Sequence, residues 1–177
     1  MLVPTLRFLW LAALCLAGSS PAASSDGLRG KTIRFVVSAV LSDHPQKVFT
    51  ESKTIKILQD GTIYEFNADS STAGNVYKWN QTVKEISDVA AVAAGFGGFE
   101  MSVVRLTAES SGHSLRLDSL FKGKRVSDGA EYLKLQEIEV IYRGGQQCEV
   151  AAFSVSQQSP YGPLEGHFVQ ELECVVQ

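Results

Sequence analysis

Cys148 and Cys174 lie at mirror-image positions about a turn of sequence SPYGP at residues 159–163, and this symmetry constrains the fold more than any other feature. If the flanks form an antiparallel hairpin centred on the turn, Cys148 lies opposite Cys174 and Val150 lies opposite Leu172. Directly opposed residues have Cα atoms about 4.5–5.5 Å apart, within the range of about 4.4–6.8 Å that a disulfide spans. The sequence therefore predicts a disulfide in a C-terminal hairpin, with two free buried thiols as the alternative.

The first 22 residues have the three parts of a secretory signal peptide: a single arginine, an apolar run at 8–17, and small residues leading to Ala22. The apolar run is shorter than the roughly 20 residues that span a bilayer, which disfavours a retained anchor. Lipid attachment at Cys15 is a further alternative, disfavoured by the bulky Leu14 before it. We expect cleavage after Ala22 and a periplasmic or secreted protein, where a disulfide persists.

Residues 23–177 suit one domain, and alternation of apolar and polar residues dominates them. The net charge of −3 and the lack of lysine and arginine clusters argue against nucleic acid as a partner. No second apolar stretch could span a membrane. We predict a single, mainly β domain of eight to nine antiparallel strands, forming a lipocalin-like barrel or, alternatively, a β-sandwich.

The clearest hairpin surrounds the Asp-Gly pair at 60–61, which suits a two-residue type I′ turn. That turn places Ile57 opposite Tyr64, with Ile55 and Phe66 on the same face. Lys56 and Glu65 then meet on the other face. Apolar residues on one face and opposite charges on its reverse specify this register.

A second hairpin surrounds the glycines at 144–145. A two-residue loop would place a charged residue in the core, whereas a three-residue loop over 144–146 sets Tyr142 opposite Cys148. We therefore predict the three-residue loop. The apolar phase of the preceding strand changes near residues 136–137, which predicts a β-bulge there.

One short helix is predicted near residues 83–94. Thr82 and Glu85 have the spacing of a capping box, and Gly95 is a suitable residue to follow the last turn. Apolar residues between them recur at helical intervals.

Residues 28–32, LRGKT, resemble the Gly-x-Trp opening of the lipocalins, although the tryptophan is missing. The layout also resembles a group of small exported proteins of alphaproteobacterial type. Those proteins share a leader, an early Leu-x-Gly-Lys strand (28–31 here), a central glycine-bounded hairpin and a late strand with a cysteine, here Cys148. The resemblance rests on spacing over most of residues 23–177 and implies an exported β protein without a specified activity.

The sequence contains no motif for nucleophilic catalysis, metal binding or nucleotide binding, so no cofactor or metal is predicted. The three histidines, which lie beside turn residues, are His44, His113 and His167. Carboxylates project from one face of a strand in the pairs Glu137/Glu139 and Glu171/Glu173, which glycosidase geometry would allow. A solvated outer sheet face is the interpretation that we favour for both pairs.

Aromatic side chains are the best sequence-level candidates for a ligand site at one end of a barrel, with ordinary core packing as the alternative. The predicted ligand-binding residues are Tyr64, Phe66, Tyr77, Trp79, Phe96 and Phe99. We expect an exported, non-enzymatic module that binds a small apolar ligand or another envelope component. A small envelope hydrolase with a carboxylate site is the alternative.

Overall fold

The computed structural model describes residues 25–42, 44–68, 71, 74–92, 99–125, 127–159 and 162–177. The predicted signal peptide, residues 1–22, lies outside this part of the chain. A 3-10 helix, Ser25–Leu28, precedes ten strands. The strands are β1 Thr32–Leu41, β2 His44–Ile57, β3 Thr62–Asn67, β4 Asn75–Lys78, β5 Gln81–Val92, β6 Phe99–Ser111, β7 Ser114–Arg125, β8 Glu131–Gly144, β9 Gln147–Ser159 and β10 Gly162–Val176.

The ten strands form one antiparallel sheet in the order β4-β3-β2-β1-β10-β9-β8-β7-β6-β5. The sheet curls until β4 lies against β5 and β6, giving a nearly closed barrel. Asn80, between β4 and β5, supports this seam because its Oδ1 accepts hydrogen bonds from the backbone N–H (2.7 Å) and hydroxyl (2.9 Å) of Ser110. The predicted antiparallel barrel is confirmed, with ten strands rather than eight or nine.

The helix predicted near residues 83–94 is wrong, because strand β5 occupies Gln81–Val92. Thr82 does not cap a helix, since its hydroxyl lies 3.2 Å from that of Thr107 on the neighbouring strand β6. Val83 pairs with Leu106 in the same ladder. Pairing with β6 and the β-branched residues of the segment outweigh its capping-box pattern, which was a coincidence of spacing.

The sulfur atoms of Cys148 and Cys174 lie 2.01 Å apart and their Cα atoms 5.3 Å apart, so the predicted disulfide is present. The predicted register is correct beside it but wrong nearer the turn. Towards the turn, His167 pairs with Ser154, one residue away from the predicted register. Between this pair and the disulfide, the seven residues 168–174 of β10 lie opposite the six residues 148–153 of β9. A β-bulge therefore restores the register at the disulfide.

The same irregularity overturns the predicted Val150/Leu172 core pair. Val150 is buried, whereas Leu172 is 53% exposed. Pairing of β1 with β10 skips Leu172, which is consequently a bulged residue that points outward. The N–H of Val150 instead donates to the carboxylate of Glu171, so a side chain takes the place of a backbone acceptor.

The hairpin at Asp60-Gly61 differs from its prediction by one residue. Ile57 pairs with Ile63, and Ile55 pairs with Glu65. The N–H of Leu58 donates to the carbonyl of Thr62 (2.8 Å), which makes the loop three residues long, and Gly61 adopts φ +82°. A three-residue loop that ends in left-handed glycine is the next commonest hairpin connection. A one-residue slip moves every side chain of β3 to the opposite face.

The β8–β9 hairpin confirms the predicted opposition of Tyr142 and Cys148. The bulge predicted at residues 136–137 is wrong, because β8 pairs with β7 without interruption there. The irregularity in β8–β9 pairing lies between Glu139 and Val140 instead. Gln136 therefore points into the barrel, in phase with Ile138 and Val140.

The barrel interior differs between its two ends. The proximal end holds the β2–β3 and β6–β7 turns, the 3-10 helix and Gln177, and the distal end holds the β1–β2 and β7–β8 turns. Apolar side chains fill the proximal half, and the rings of Phe35 and Phe153 meet edge to face at 6.5 Å in the core. Fully buried core residues include Leu28, Ile33, Ile57, Ile63, Leu115, Leu117, Ile138 and Val140.

Candidate functional site

A layer of polar side chains crosses the barrel interior above the apolar half. Its centre is an ion pair between Lys53 on β2 and Glu65 on β3, with Nζ 3.0 Å from Oε1. Both residues are almost completely buried, at 6% and 2% exposed. The pair depends on the three-residue β2–β3 loop, because the predicted register would have placed Glu65 outside against Lys56.

Donors saturate the Glu65 carboxylate. Oε1 accepts from Lys53 and from Nε2 of Gln136 on β8, at 2.7 Å. Oε2 accepts from Nδ2 of Asn75 and from the hydroxyl of Tyr77 on β4, each at 2.7 Å. Four donors from three other strands therefore converge on one buried carboxylate, the arrangement that buried charge requires.

The ammonium of Lys53 is equally well supplied with acceptors. Besides Glu65, its Nζ donates to Oδ1 of Asn67 at 2.6 Å and to Oε1 of Gln136 at 3.4 Å. The side-chain amide of Gln136 therefore contacts both members of the ion pair. These contacts tie β2 and β3 to β8 across the barrel.

The protonation states follow from these contacts. Burial alone would raise the pKa of Glu65, but the charge of Lys53 and the donors Asn75 and Tyr77 outweigh it and hold the pKa below its ordinary value. Burial, together with the negative charge of Glu65, raises the pKa of Tyr77 well above its ordinary value. Glu65 is thus ionised and Tyr77 neutral at pH 7. A carboxylate with both oxygens occupied is suited to structure rather than to proton transfer.

Lys134 on β8 is a second inward-facing cation, on the distal side of the polar layer. It lies opposite Phe121 on β7, which packs against the core. Burial and the nearby charge of Lys53 lower the pKa of Lys134, while Glu65 and Glu51 partly oppose that effect. Among the described residues it makes no side-chain hydrogen bond or ion pair, in contrast to Lys53.

Apolar side chains line the interior on this distal side. They point inward, pack against the core and are only partly covered; they are Phe49, Phe121, Val155 and Phe168. The ring of Phe49 lies over Gly166 of β10, where an added Cβ would come within 3.0 Å of it. A shallow depression of about 580 Å³ opens at the same rim, lined by Leu41, Gln46, Lys47, Val48 and Phe49.

The four predicted aromatic residues whose side chains the structure describes lie in different parts of the barrel. Tyr64 and Phe66 lie on the outer face of β3, with ring centroids 6.3 Å apart, because the β2–β3 register differs from the prediction. Tyr77 is buried with its hydroxyl on Glu65. Trp79 lies at the proximal end, with the guanidinium of Arg29 5.2 Å from its ring centroid.

Phe96 lies outside the described residues, and Phe99 begins β6 without a described side chain. Ligand binding by the six aromatic residues stays a prediction. The interior residues that the sequence analysis missed are Lys53, Glu65, Gln136 and Lys134. A three-residue loop at Asp60-Gly61, like the one predicted at Gly144-Gly145, would have placed Glu65 inside, on the face that Lys53 shares with Ile55 and Ile57.

Of the paired strand carboxylates, Glu137 makes surface contacts and Glu171 makes a partly buried one. Glu137 lies 3.1 Å from Arg116, which also bonds Asp118 at 3.2 Å. Glu171 accepts the N–H of Val150. Among the described carboxyl groups, the shifts that are resolved all lower the pKa, whereas a general acid at pH 7 needs a raised one.

His113 and His167 are exposed, and His167 lies 3.7 Å from Glu165. The described residues contain no group of three or more His, Cys, Asp or Glu side chains placed to hold a metal ion. No helix in the described chain has the length and apolar character needed to cross a membrane.

Comparison of the chain with protein-family models, with curated proteins and with solved structures finds no match.

Proposed function

We propose that this protein is an exported, non-enzymatic binding module that holds a small apolar ligand in the distal half of its barrel. One observation carries the proposal. Four apolar side chains, Phe49, Phe121, Val155 and Phe168, point into the distal interior and are incompletely covered, whereas most apolar side chains of the proximal interior are fully buried. An incompletely covered apolar surface inside a barrel is the usual form of a small-molecule site.

The buried polar layer supports the same proposal. It seals the proximal core with a rigid floor, because Lys53, Glu65 and Gln136 bond one another across the barrel. A ligand above this floor would meet fixed polar groups below and apolar side chains around it. Such preorganisation reduces the entropy that a ligand must lose on binding.

Export is supported by two features. The sequence begins with the predicted signal peptide, and Cys148 and Cys174 form a disulfide, which persists in oxidising compartments. We therefore place the protein in the periplasm or outside the cell. The hydrolase alternative lacks support, because donors saturate both oxygens of Glu65 and hold its pKa below the ordinary value, the opposite of what a general acid needs.

A titration with 1-decanol tests the binding proposal. Backbone amide NMR shifts should saturate and should concentrate in the distal parts of β2, β7, β9 and β10. Phe121→Ser should weaken binding, whereas Leu135→Ser should not, because Leu135 is 40% exposed on the outer face of the adjacent strand. Lack of saturable binding, or equal effects of the two substitutions, would contradict the proposal.

A further inference from the structure

We propose that the distal site is selective for a monocarboxylate with an apolar body, whose carboxylate binds the ammonium of Lys134 and the side-chain amide of Gln157. This inference rests on the proposed function and specifies the ligand class. It combines three observations: an inward-facing cation that makes no hydrogen bond or ion pair with the described side chains, a neighbouring amide held in one orientation, and apolar side chains around both.

The ammonium of Lys134 is available for a ligand. Glu65, a buried carboxylate whose charge acts on Lys134, already accepts four hydrogen bonds, one of them from Lys53. Glu51 faces the interior from β2, opposite the buried Val37, and attracts Lys134 without reaching ion-pair distance. A partly buried cation that lacks a contact anion is stabilised by an anionic ligand.

Gln157 supplies a second donor beside that cation. It lies directly opposite Lys134 in the β8–β9 ladder, so both side chains share the inner face. The hydroxyl of Tyr132 donates to Oε1 of Gln157 at 2.8 Å. This bond uses the acceptor end of the amide and leaves its Nε2–H groups as donors. An ammonium and an amide N–H on adjacent strands form a complementary pair for the two oxygens of a carboxylate.

The surroundings favour an apolar body and a single negative charge. On β7, Phe121 lies opposite Lys134. On β9, Val155 lies two residues from Gln157 and on the same inner face. Burying apolar ligand surface against such side chains is favourable. Glu51 on the facing wall disfavours a second anionic group through like-charge repulsion.

A bound carboxylate should also change the protonation of Lys134. In the free protein, burial and Lys53 lower the pKa of this ammonium, so its charged form is disfavoured. An anion at contact distance favours the charged form and raises that pKa again. Carboxylate binding should therefore weaken as the pH rises through the pKa of the complex, whereas binding of an uncharged analogue should not.

The test compares decanoate with 1-decanol, which has the same number of carbons and no charge, by isothermal titration at pH 7. Decanoate should bind about tenfold more tightly, the scale of one charge-assisted contact. Lys134→Met should remove that difference and leave decanol binding unchanged. Lys122→Met is the matched control, because Lys122 is exposed on the outer face of β7.

The outcomes separate this inference from the proposed function. Equal affinities of the wild-type protein for the two ligands would overturn the carboxylate preference while leaving an apolar binding site. If Lys134→Met weakened the affinity for both ligands equally, the carboxylate preference would also be overturned, because Lys134 would then have a structural role. Failure of both ligands to bind the wild-type protein would overturn the proposed function itself. Gln157→Leu gives an independent variant and should weaken decanoate binding alone.

Discussion

Replacing Lys53 by methionine should destabilise the domain by about 3 kcal/mol, at the lower end of the 3–5 kcal/mol for breaking a buried ion pair. Glu65 would remain ionised and buried without its counter-charge. The lower end applies because three donors to Glu65 survive: Gln136, Asn75 and Tyr77. Methionine also fills most of the volume of the lysine stem, which limits the cavity.

Urea unfolding at pH 7, with the disulfide intact, measures this loss. For m values of about 1–3 kcal/mol/M, a loss of 3 kcal/mol lowers the midpoint by at least about 1 M. The matched control is Lys56→Met, because Lys56 is exposed on the other face of the same strand. Its effect should stay within about 0.5 kcal/mol, as is usual for surface substitutions. The opposite ranking of the two variants would refute the ion pair and the β2–β3 register together.

The same comparison has a pH dependence with a definite sign. The pKa of Glu65 is held below its ordinary value of 4.5. Its ionised form therefore contributes stability above that value, and the contribution is lost as the pH falls through the folded-state pKa. Without Lys53, burial raises the pKa of Glu65. Lowering the pH should therefore reduce the free energy of unfolding less in the variant than in the wild type. The stability gap between wild type and Lys53→Met should narrow between pH 7 and pH 4; a constant gap would contradict the electrostatic account.

Three further predictions concern other parts of the barrel. The double replacement of Cys148 and Cys174 by serine should cost about 3–4 kcal/mol in urea unfolding, the scale expected for a loop of this length; an unchanged midpoint, or two free thiols by mass under non-reducing conditions, would contradict the disulfide. Thr82→Ala should cost about 0.2–1 kcal/mol, because its side chain lies on a strand and loses only the cross-strand contact with the hydroxyl of Thr107; a loss clearly above about 1 kcal/mol would favour a helix cap. Hydrogen bonds from Arg125 and from a backbone N–H lower the pKa of Asp128 to about 2, so its carboxyl NMR resonance should titrate near pH 2. Arg125→Gln should move that midpoint towards the ordinary value, and no movement would contradict the contact.

Sequence periodicity was sufficient for the fold class, because alternation and turn residues recur along the whole domain. It was insufficient wherever loop length set the register. At Gly144-Gly145, the two-residue loop could be rejected because it would place a charged residue in the core. The three-residue loop then paired Tyr142 with Cys148 correctly. At Asp60-Gly61, the predicted two-residue loop gave a plausible apolar face, so nothing in the pattern argued against it, and it placed Glu65 outside.

The buried polar layer could not be predicted from local pattern alone. Lys53 shares the inward face with Ile55 and Ile57, and the partners that allow its burial lie on other strands. They are Glu65 on β3 and Gln136 on β8, which is distant in the chain. The predicted bulge near Gln136 reflected the assumption that inward residues are apolar. Strand β8 keeps one alternation throughout, and its inward-facing residues change from apolar at Ile138 and Val140 to polar at Lys134 and Gln136.

The seam between β4 and β5 has a consequence for how the barrel deforms. Every other neighbouring pair of strands is joined by a ladder of backbone hydrogen bonds. Even Thr32, which begins β1, and Gln177, which follows β10, exchange two backbone hydrogen bonds of 2.8 Å. Among the described residues no ladder joins β4 to β5, but the turn at 79–80 tethers them covalently at the proximal end. The barrel wall therefore has one unpaired seam, between β4 and β5, which is closed only at the proximal end by the connecting turn. In the part of the chain that the structure describes, parting that edge would separate no paired strands, so we expect the barrel to deform more easily along this line than along any of its ladders.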